Sequence, residues 1–398
     1  MSTDFTATRA MFDLPDGVIY LDGNSLGALP KAAAARVADM VTDEWGKLLI
    51  TGWNKAGWMD QPARIGNRIA RLIGAEAGSV VLGDTLSIKV YQALAAALAM
   101  VPERRVILSD SGNFPSDLYI AEGLCKMLGD GYRLETVAPE DVAGAFDATV
   151  AVALITEVDY RTGRRHDMAD LTAKAHAAGA VTIWDLAHSA GAFPVELARN
   201  GADFAVGCTY KYLNSGPGGP GFIYVSPRHA DVALPALSGW LGHAAPFAFD
   251  ATYRPGKGIE RMRVGTPPVL QMAALEAALD VWDLADMADI RSASLALTDQ
   301  FIAGVEATCP TLTLVTPRTH AQRGSQVSFC HPEGYAIMQA LIANSVIGDF
   351  RAPDILRFGF TPLYIGAEDV AAAVEILAAV MAENLWNRPE YKTRARVT

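Results

Sequence analysis

The sequence predicts an α/β protein: a large domain with a mainly parallel sheet flanked by helices, then a smaller α+β domain. Three observations predict it. From about residue 60 to 225, short β-branched apolar runs alternate with helix-length stretches. Turn residues cluster after those runs rather than before them. Beyond about residue 268 the alternation gives way to longer helices separated by a few strands.

Taken in order, 61–73 reads as a helix and 79–82 as a short strand. An Ala/Leu-rich helix over 87–100 leads to a strand at 105–109, a helix at 117–128 and a strand at 149–155. A helix at 168–178 precedes strands at 180–184, 203–208 and 221–225. Runs that are apolar at nearly every position suit parallel strands covered on both faces. Pro267 and Pro268 open a helix over 269–282, followed by a helix at 293–307 and strands at 311–315 and 326–330. A helix at 336–343, an extended stretch at 355–360 and a last helix at 370–384 complete the chain. The domains expected are 46–268 for the large one, and 1–45 with 269–398 for the small one and its N-terminal arm.

Composition narrows the function classes. The chain has 398 residues, 51% of them hydrophobic and 19% charged, which provides a large core. A formal charge of −11 without a local Lys/Arg run argues against a nucleic-acid partner. Residues 1–17 lack a basic segment followed by an apolar core, and the apolar stretch 93–101 is too short to span a bilayer, so neither a signal peptide nor a membrane partner is expected. The four cysteines are widely spaced, which suits reduced thiols in a cytoplasmic protein. No G-x-G-x-x-G follows the early strands, and no H-E-x-x-H or Cys/His cluster suggests a metal.

The chemistry centres on Lys211, in C-T-Y-K-Y-L-N-S-G-P-G-G-P-G at 208–221. A lysine at a strand end can reach the ligand crevice of an open α/β sheet, where desolvation favours the neutral amine and imine chemistry. A solvated surface lysine is the alternative. Asp185 ends the strand before, in W-D-L-A-H-S-A-G. A carboxylate there requires a partner, and a pyridinium nitrogen is one; N-capping a helix over 186–190 is another. His188 follows, either against a bound ring or simply packed. An Asp and a Lys on neighbouring strand ends are the pair that a pyridoxal phosphate site requires. V-L-G-D-T-L-S-I-K at 81–89 brings Leu86 and Ser87 to a helix start, which can hold a phosphate or merely cap the helix. In N-F-P-S-D at 113–117, Phe114 offers a face for stacking, with Asp117 beside it.

These motifs resemble the kynureninase family, aspartate-aminotransferase-like (fold type I) pyridoxal phosphate enzymes. D-L-A-H followed by Y-K-Y-L-N-x-G-x-G-G is similar to that family's cofactor strands, and I-Y-L-D-G-N-S-L-G-A-L-P-K at 19–31 resembles its N-terminal motif. N-F-P-S-D, G-W-L-G-H at 239–243, R-V-G-T-P-P at 263–268 and L-R-F-G-F-T-P-L-Y at 356–364 match in the same order.

The resemblance implies hydrolytic Cβ–Cγ cleavage of L-kynurenine to anthranilate and L-alanine. Lys211 would carry pyridoxal 5'-phosphate as a Schiff base and move the α-proton, while Asp185 pairs with the pyridine nitrogen. Phe114, within Phe114-Pro115-Ser116-Asp117, would stack on the ring near His188, and Leu86, Ser87 and Thr156 would line the cofactor. Tyr210, Trp240 and Thr266 would complete the phosphate site, some given by the neighbouring subunit of a homodimer whose active sites lie at the interface. Tyr210 would also relay protons, although a phenol with an ordinary pKa of about 10 requires help from the phosphate and Lys211. Arg357 would grip the substrate α-carboxylate, with a structural ion pair as the alternative. Asn24 and Ser25 would cover the substrate, and Trp53 would face its aryl ring. Gly265 and Thr266, with Trp53, predict a preference for kynurenine over 3-hydroxykynurenine. Competing readings are a cysteine desulfurase or lyase of similar fold, with Cys330 the nearest thiol candidate, and a non-catalytic scaffold.

Overall fold

In the computed structural model, which describes residues 2–394, seven short segments form one twisted sheet. They are β1 (Val80–Leu82), β2 (Val106–Asp110), β3 (Arg133–Val137), β4 (Val150–Thr156), β5 (Val181–Asp185), β6 (Phe204–Cys208) and β7 (Gly221–Val225). Their order across the sheet is β1-β7-β6-β5-β4-β2-β3. The ladders from β3 to β6 are parallel, while β7 runs antiparallel to both β6 and β1. Every residue of β2, β4, β5, β6 and β7 is buried. That explains why these strands read as unbroken apolar runs: helices cover both faces. β3 is the strand that the sequence conceals. Its Arg-Leu-Glu-Thr-Val pattern is partly exposed at the sheet edge, where charge discourages pairing with another chain.

α1 (Lys31–Asp39) is a helix where the sequence suggests only an N-terminal arm, whereas four covering helices fall close to their expected spans: α2 (Gln61–Leu72), α3 (Leu86–Met100), α4 (Pro115–Leu128) and α5 (Met168–Ala178). α3 packs on β4, β6 and β7 through Val90, Ala93, Leu94 and Ala97, all fully buried. Truncating Leu94 to Ala there removes about 2–5 kcal/mol, the usual range for a large-to-small change in a close-packed core. β7 enters the sheet directly against the start of α3. A Cβ added at Gly221 would lie 2.7 Å from the Leu86 nitrogen, so only glycine permits this approach.

After residue 268 come α6 (Val269–Ala278), α7 (Met287–Thr308), α8 (Gly334–Ala343) and α9 (Ala367–Ala382). The helix expected over 269–282 stops at Ala278 and tightens into a 3₁₀ turn through Asp283, a common helix ending. A second, antiparallel sheet has the order β8 (Thr313–Leu314), β9 (Gln326–Cys330), β11 (Ile355–Gly359), β10 (Asp349–Arg351). β8 is shorter than the expected 311–315 strand. Phe301 of α7 packs on Phe358 and Phe360, at ring centroids 4.9 and 5.2 Å away.

The N-terminal segment is sewn to this second sheet. Ile19–Tyr20 pairs in parallel with Val346–Ile347, and the Gly359 N–H donates to the Leu21 carbonyl. α1 packs against α6. Residues 1 and 395–398 of the expected small domain lie outside the described residues. None of the described helices is long and apolar enough to cross a membrane.

Candidate active site

The carboxyl ends of β5 and β6 lead into one cavity of about 340 Å³. This is the position at which open α/β sheets bind ligands, and the size suits a small cofactor. Lys211 lies three residues beyond β6, with its Nζ 3.2 Å from His188 Nε2 and 5.8 Å from the centre of the Phe114 ring. Desolvation lowers its pKa below the ordinary lysine range, against the pull of nearby anions. The solvated-lysine alternative is therefore set aside, since this amine is disposed toward its neutral, nucleophilic form. His188 is buried, and desolvation together with Lys211 drives its pKa well below the usual value, so the imidazole is neutral.

Asp185 is fully buried at the end of β5, and its Oδ1 accepts the Ala187 N–H at 2.8 Å. No helix follows it, so it closes a local turn rather than capping a helix. Asp117 faces it from the first turn of α4. Burial, then the Asp185 charge, raises the Asp117 pKa well above the carboxylate range, and burial lifts Asp185 to about 6. Two carboxyls this close cannot both ionise in a dry site. Asp117 keeps the proton, because Asp185 has the Ala187 amide and Lys211 to stabilise its charge. Asp117 Oδ2 has no hydrogen-bond partner among the described residues. The floor of the cavity thus offers one carboxylate and one carboxylic acid to a group that carries a protonated nitrogen.

Two helix N-termini open onto the same space. Thr85 caps α3, and Thr85, Leu86 and Ser87 line the cavity. Phe114 occupies the N-cap position of α4, Pro115 is its first residue, and Ser116 lies 3.1 Å from Ser87 through their hydroxyls. Free N–H groups, hydroxyls and two helix dipoles form a cup for an anion such as phosphate. Gly218 and Gly219 form the facing wall. Tyr210 lines the cavity too, with its phenol pushed above the ordinary range by the adjacent Cys208 and by burial. These residues fit pyridoxal phosphate: an amine, a buried carboxylate, an aromatic face and an anion cup surround one cavity.

At the far wall Arg357 is fully buried on β11, opposite Asp349 of β10 in the ladder. Its Nε donates to Asp349 Oδ1 at 2.8 Å, and its Nη2 to Asp349 Oδ2 and, at 2.6 Å, to Ser25 Oγ. Its Nη1 donates to the Tyr160 carbonyl at 2.5 Å. The ion pair left open by the sequence is therefore present, and the same side chain also lines the cavity. Asn24 is buried and Ser25 half-buried; both reach the cavity from the N-terminal segment. Gly27 lets that segment close, since a Cβ there would meet the Lys211 carbonyl at 2.3 Å.

Other expected residues do not meet the cavity within one chain. Thr156 stands level with Asp185 in the ladder but points its hydroxyl at the Val158 carbonyl, 3.2 Å away. Trp240 packs edge-on against Phe247, Thr266 borders a separate cleft beyond β1, and Trp53 lies edge-on to Trp58. The sequence reading missed Arg351, Asp349, Ala187, Gly218 and Gly219. A signal for the first two existed: charged residues on a short strand hairpin that already carries Arg357.

Comparison with known proteins agrees with this geometry. The family model described as the kynureninase C-terminal domain matches residues 290–377. The kynureninase of Pseudomonas fluorescens is 54% identical over 98% of this chain and 95% of its own length. Among solved structures, a cysteine desulfurase from Thermococcus onnurineus NA1 superposes with a TM-score of 0.79 at 19% identity, over 96% of this chain and 99% of that one. A C-DES variant with glycine covalently linked to its pyridoxal phosphate cofactor gives 0.78 at 20% identity, over 93% and 98% of the two chains. At such identities these two structures share the fold alone with this chain. No cysteine lines the cavity among the described residues, and Cys330 ends β9 outside it. The full-length identity, together with the Lys211–Asp185–Arg357 arrangement, places this chain in the kynureninase family.

Proposed function

We propose that the cavity binds pyridoxal 5'-phosphate and cleaves the Cβ–Cγ bond of L-kynurenine, adding water to give anthranilate and L-alanine. One observation carries this reading: the amine of Lys211 shares one cavity with the buried Asp185 carboxylate and the guanidinium of Arg357, in a chain 54% identical to a kynureninase. The cofactor, when bound, supplies an imine-forming aldehyde and a protonated ring that draws off electron pairs released at substrate carbons.

Lys211 would hold the cofactor through its amine, and the same amine is placed to take the proton from the substrate α-carbon. Asp185 keeps the ring nitrogen protonated, and Asp117 adds a neutral hydrogen-bond donor beside it. Phe114 offers its face to the ring. Ser87, Ser116 and the α3 N-terminus receive the phosphate. Arg357, with Asn24 and Ser25 above it, orients the α-carboxylate. Tyr210 gives and recovers protons while water adds at the γ-carbonyl and the β-carbon is released. Its raised pKa suits a phenol that is protonated when the step begins.

Kynurenine itself is the favoured substrate. Trp53 and Thr266 offer little to a ring hydroxyl, and a hydroxyl buried without a partner costs about 1–3 kcal/mol. Trp240, Thr266 and Trp53 serve the cavity of a second copy in a homodimer. Supporting this, Phe247 and Phe249 beside Trp240 are 63% and 80% exposed, an apolar surface that water disfavours. The division at 45/46 and 268/269 is supported by the contact of α1 with α6 and the pairing of Ile19–Tyr20 with Val346–Ile347. Four unpaired cysteines suit the reducing cytoplasm.

The test is direct. Purified holoenzyme given L-kynurenine should produce anthranilate fluorescence and an equal amount of alanine. Absence of both overturns the reaction, and an equal or higher kcat/KM for 3-hydroxykynurenine overturns the preference.

A further inference from the structure

Arg351 lies beside Arg357 on the cavity wall and has no part in the reading above. Its Nη2 donates to Asp349 Oδ2 at 2.6 Å and to Ser25 Oγ at 3.2 Å. Its Nε is shut from solvent and has no hydrogen-bond partner among the described residues. An N–H of a charged group buried in this way loses free energy that an incoming acceptor restores.

The neighbouring guanidinium is already committed. Four of the five N–H groups of Arg357 are directed at Asp349, Ser25 and the Tyr160 carbonyl. One free N–H cannot hold both oxygens of a carboxylate. Ser25 Oγ, meanwhile, accepts from both guanidiniums and donates to Asp349, so a single oxygen sits between the two cations.

The charges of the cluster do not balance either. Although burial works against it, Arg357 and then Arg351 hold the Asp349 carboxyl below its ordinary range, so it is ionised. The other nearby carboxyl, Asp22, is lifted to about 8, by burial and then by Asp349. At neutral pH it is mainly protonated. Two guanidiniums therefore face one carboxylate, leaving a single positive charge at the wall.

We propose that Arg351 is a second substrate-binding residue, which shares the α-carboxylate with Arg357, and that one carboxylate oxygen takes the place of the Ser25 hydroxyl between them. This rests on the reading of the cavity as a site for an α-amino acid.

The test uses holoenzyme and a ligand pair that differs only in the carboxylate: L-alanine and L-alaninamide, titrated by the cofactor absorbance band. Arg351→Gln should weaken L-alanine binding about ten- to one hundredfold, as expected for losing charge-assisted hydrogen bonds. Alaninamide binding should change less than about twofold, since it brings no charge to the wall. Arg351→Lys keeps the charge without the planar fork and should fall between; it carries the test if Arg351→Gln does not fold. Unchanged alanine binding, or equal losses for both ligands in either variant, overturns the proposal. Because these titrations involve no turnover, a holoenzyme inert toward kynurenine would overturn the reaction while leaving the role of Arg351 to be read independently.

Discussion

Asp22 holds a proton that most carboxyls have shed, and the consequence is a pH dependence of known sign. In the unfolded chain the group ionises near 3.8, whereas burial and Asp349 move it to about 8 in the fold. Between these values the folded state binds the extra proton, so stability falls as pH rises. The contribution is complete below the unfolded value and gone above the folded one. Asp22→Asn, which never ionises, should flatten the melting temperature against pH across this window, with its largest gain at the alkaline end. A variant that keeps the parental slope would show that Asp22 is ionised throughout. Asp185 makes a different kind of prediction. Asp185→Asn preserves the shape of the cavity floor but removes the charge that keeps a ring nitrogen protonated. Turnover should drop by about a hundredfold or more, as when other preorganised electrostatic groups are lost, while the cofactor remains bound by absorbance. Turnover within tenfold of the parent would assign the ring charge to another group.

At the scale of elements, the cup at the start of α3 depends on how closely β7 approaches it. Gly221→Ala should displace the first turn of α3 by the overlap at Leu86, because a Cβ cannot sit 2.7 Å from a backbone nitrogen. Cofactor affinity should weaken at least about tenfold, the usual scale for losing one or two phosphate contacts, with the far-ultraviolet circular dichroism unchanged. Equal affinity would mean that the helix start plays no part in binding. The opposite end of the sheet is tied by Asp203. It accepts from Thr182 of β5, from His176 of α5, and from Arg228 and His229 after β7. Although burial opposes it, these partners hold its pKa far below the ordinary value. Its stabilisation is present above the normal carboxylate pKa and fades as pH falls toward the depressed one. Asp203→Ala should cost about 3–5 kcal/mol at neutral pH, since it strands several donors, and less in acid; a loss that does not shrink in acid would refute the ionic origin. Such elements differ in how plainly the sequence declares them. β4 and β5 are apolar at almost every position because both faces are covered. β3 hides because Arg133 and Glu135 belong to an exposed edge, where burial imposes no pattern.

The whole molecule extends this contrast to the site. Lys211, Asp185, Asp117 and Arg357 are legible because each ends an apolar run or sits in a specific motif, and the fold brings them to one cavity. Arg351 and Asp349 escape notice because their meaning is a cross-strand juxtaposition, which no local pattern encodes. Trp240 and Thr266 are legible as motif residues, yet one chain leaves them outside the cavity. If a second copy receives them, a mixture of two damaged subunits must recover activity. Lys211→Ala lacks the amine in its own site, and a Trp240→Ala/Thr266→Ala chain lacks only what it lends to its neighbour. Unfolded together and refolded in equal amounts, about half of the dimers should be hybrids under random pairing. Each hybrid carries one site with both lesions and one with neither. The mixture should therefore regain about a quarter of the parental kynurenine turnover, although each variant alone is nearly inactive. Residues that act within their own chain predict a different result, because every hybrid site would then carry a lesion. Turnover in the mixture no higher than the mean of the two variants would place Trp240 and Thr266 in their own subunit and require the loops carrying them to move toward the cavity.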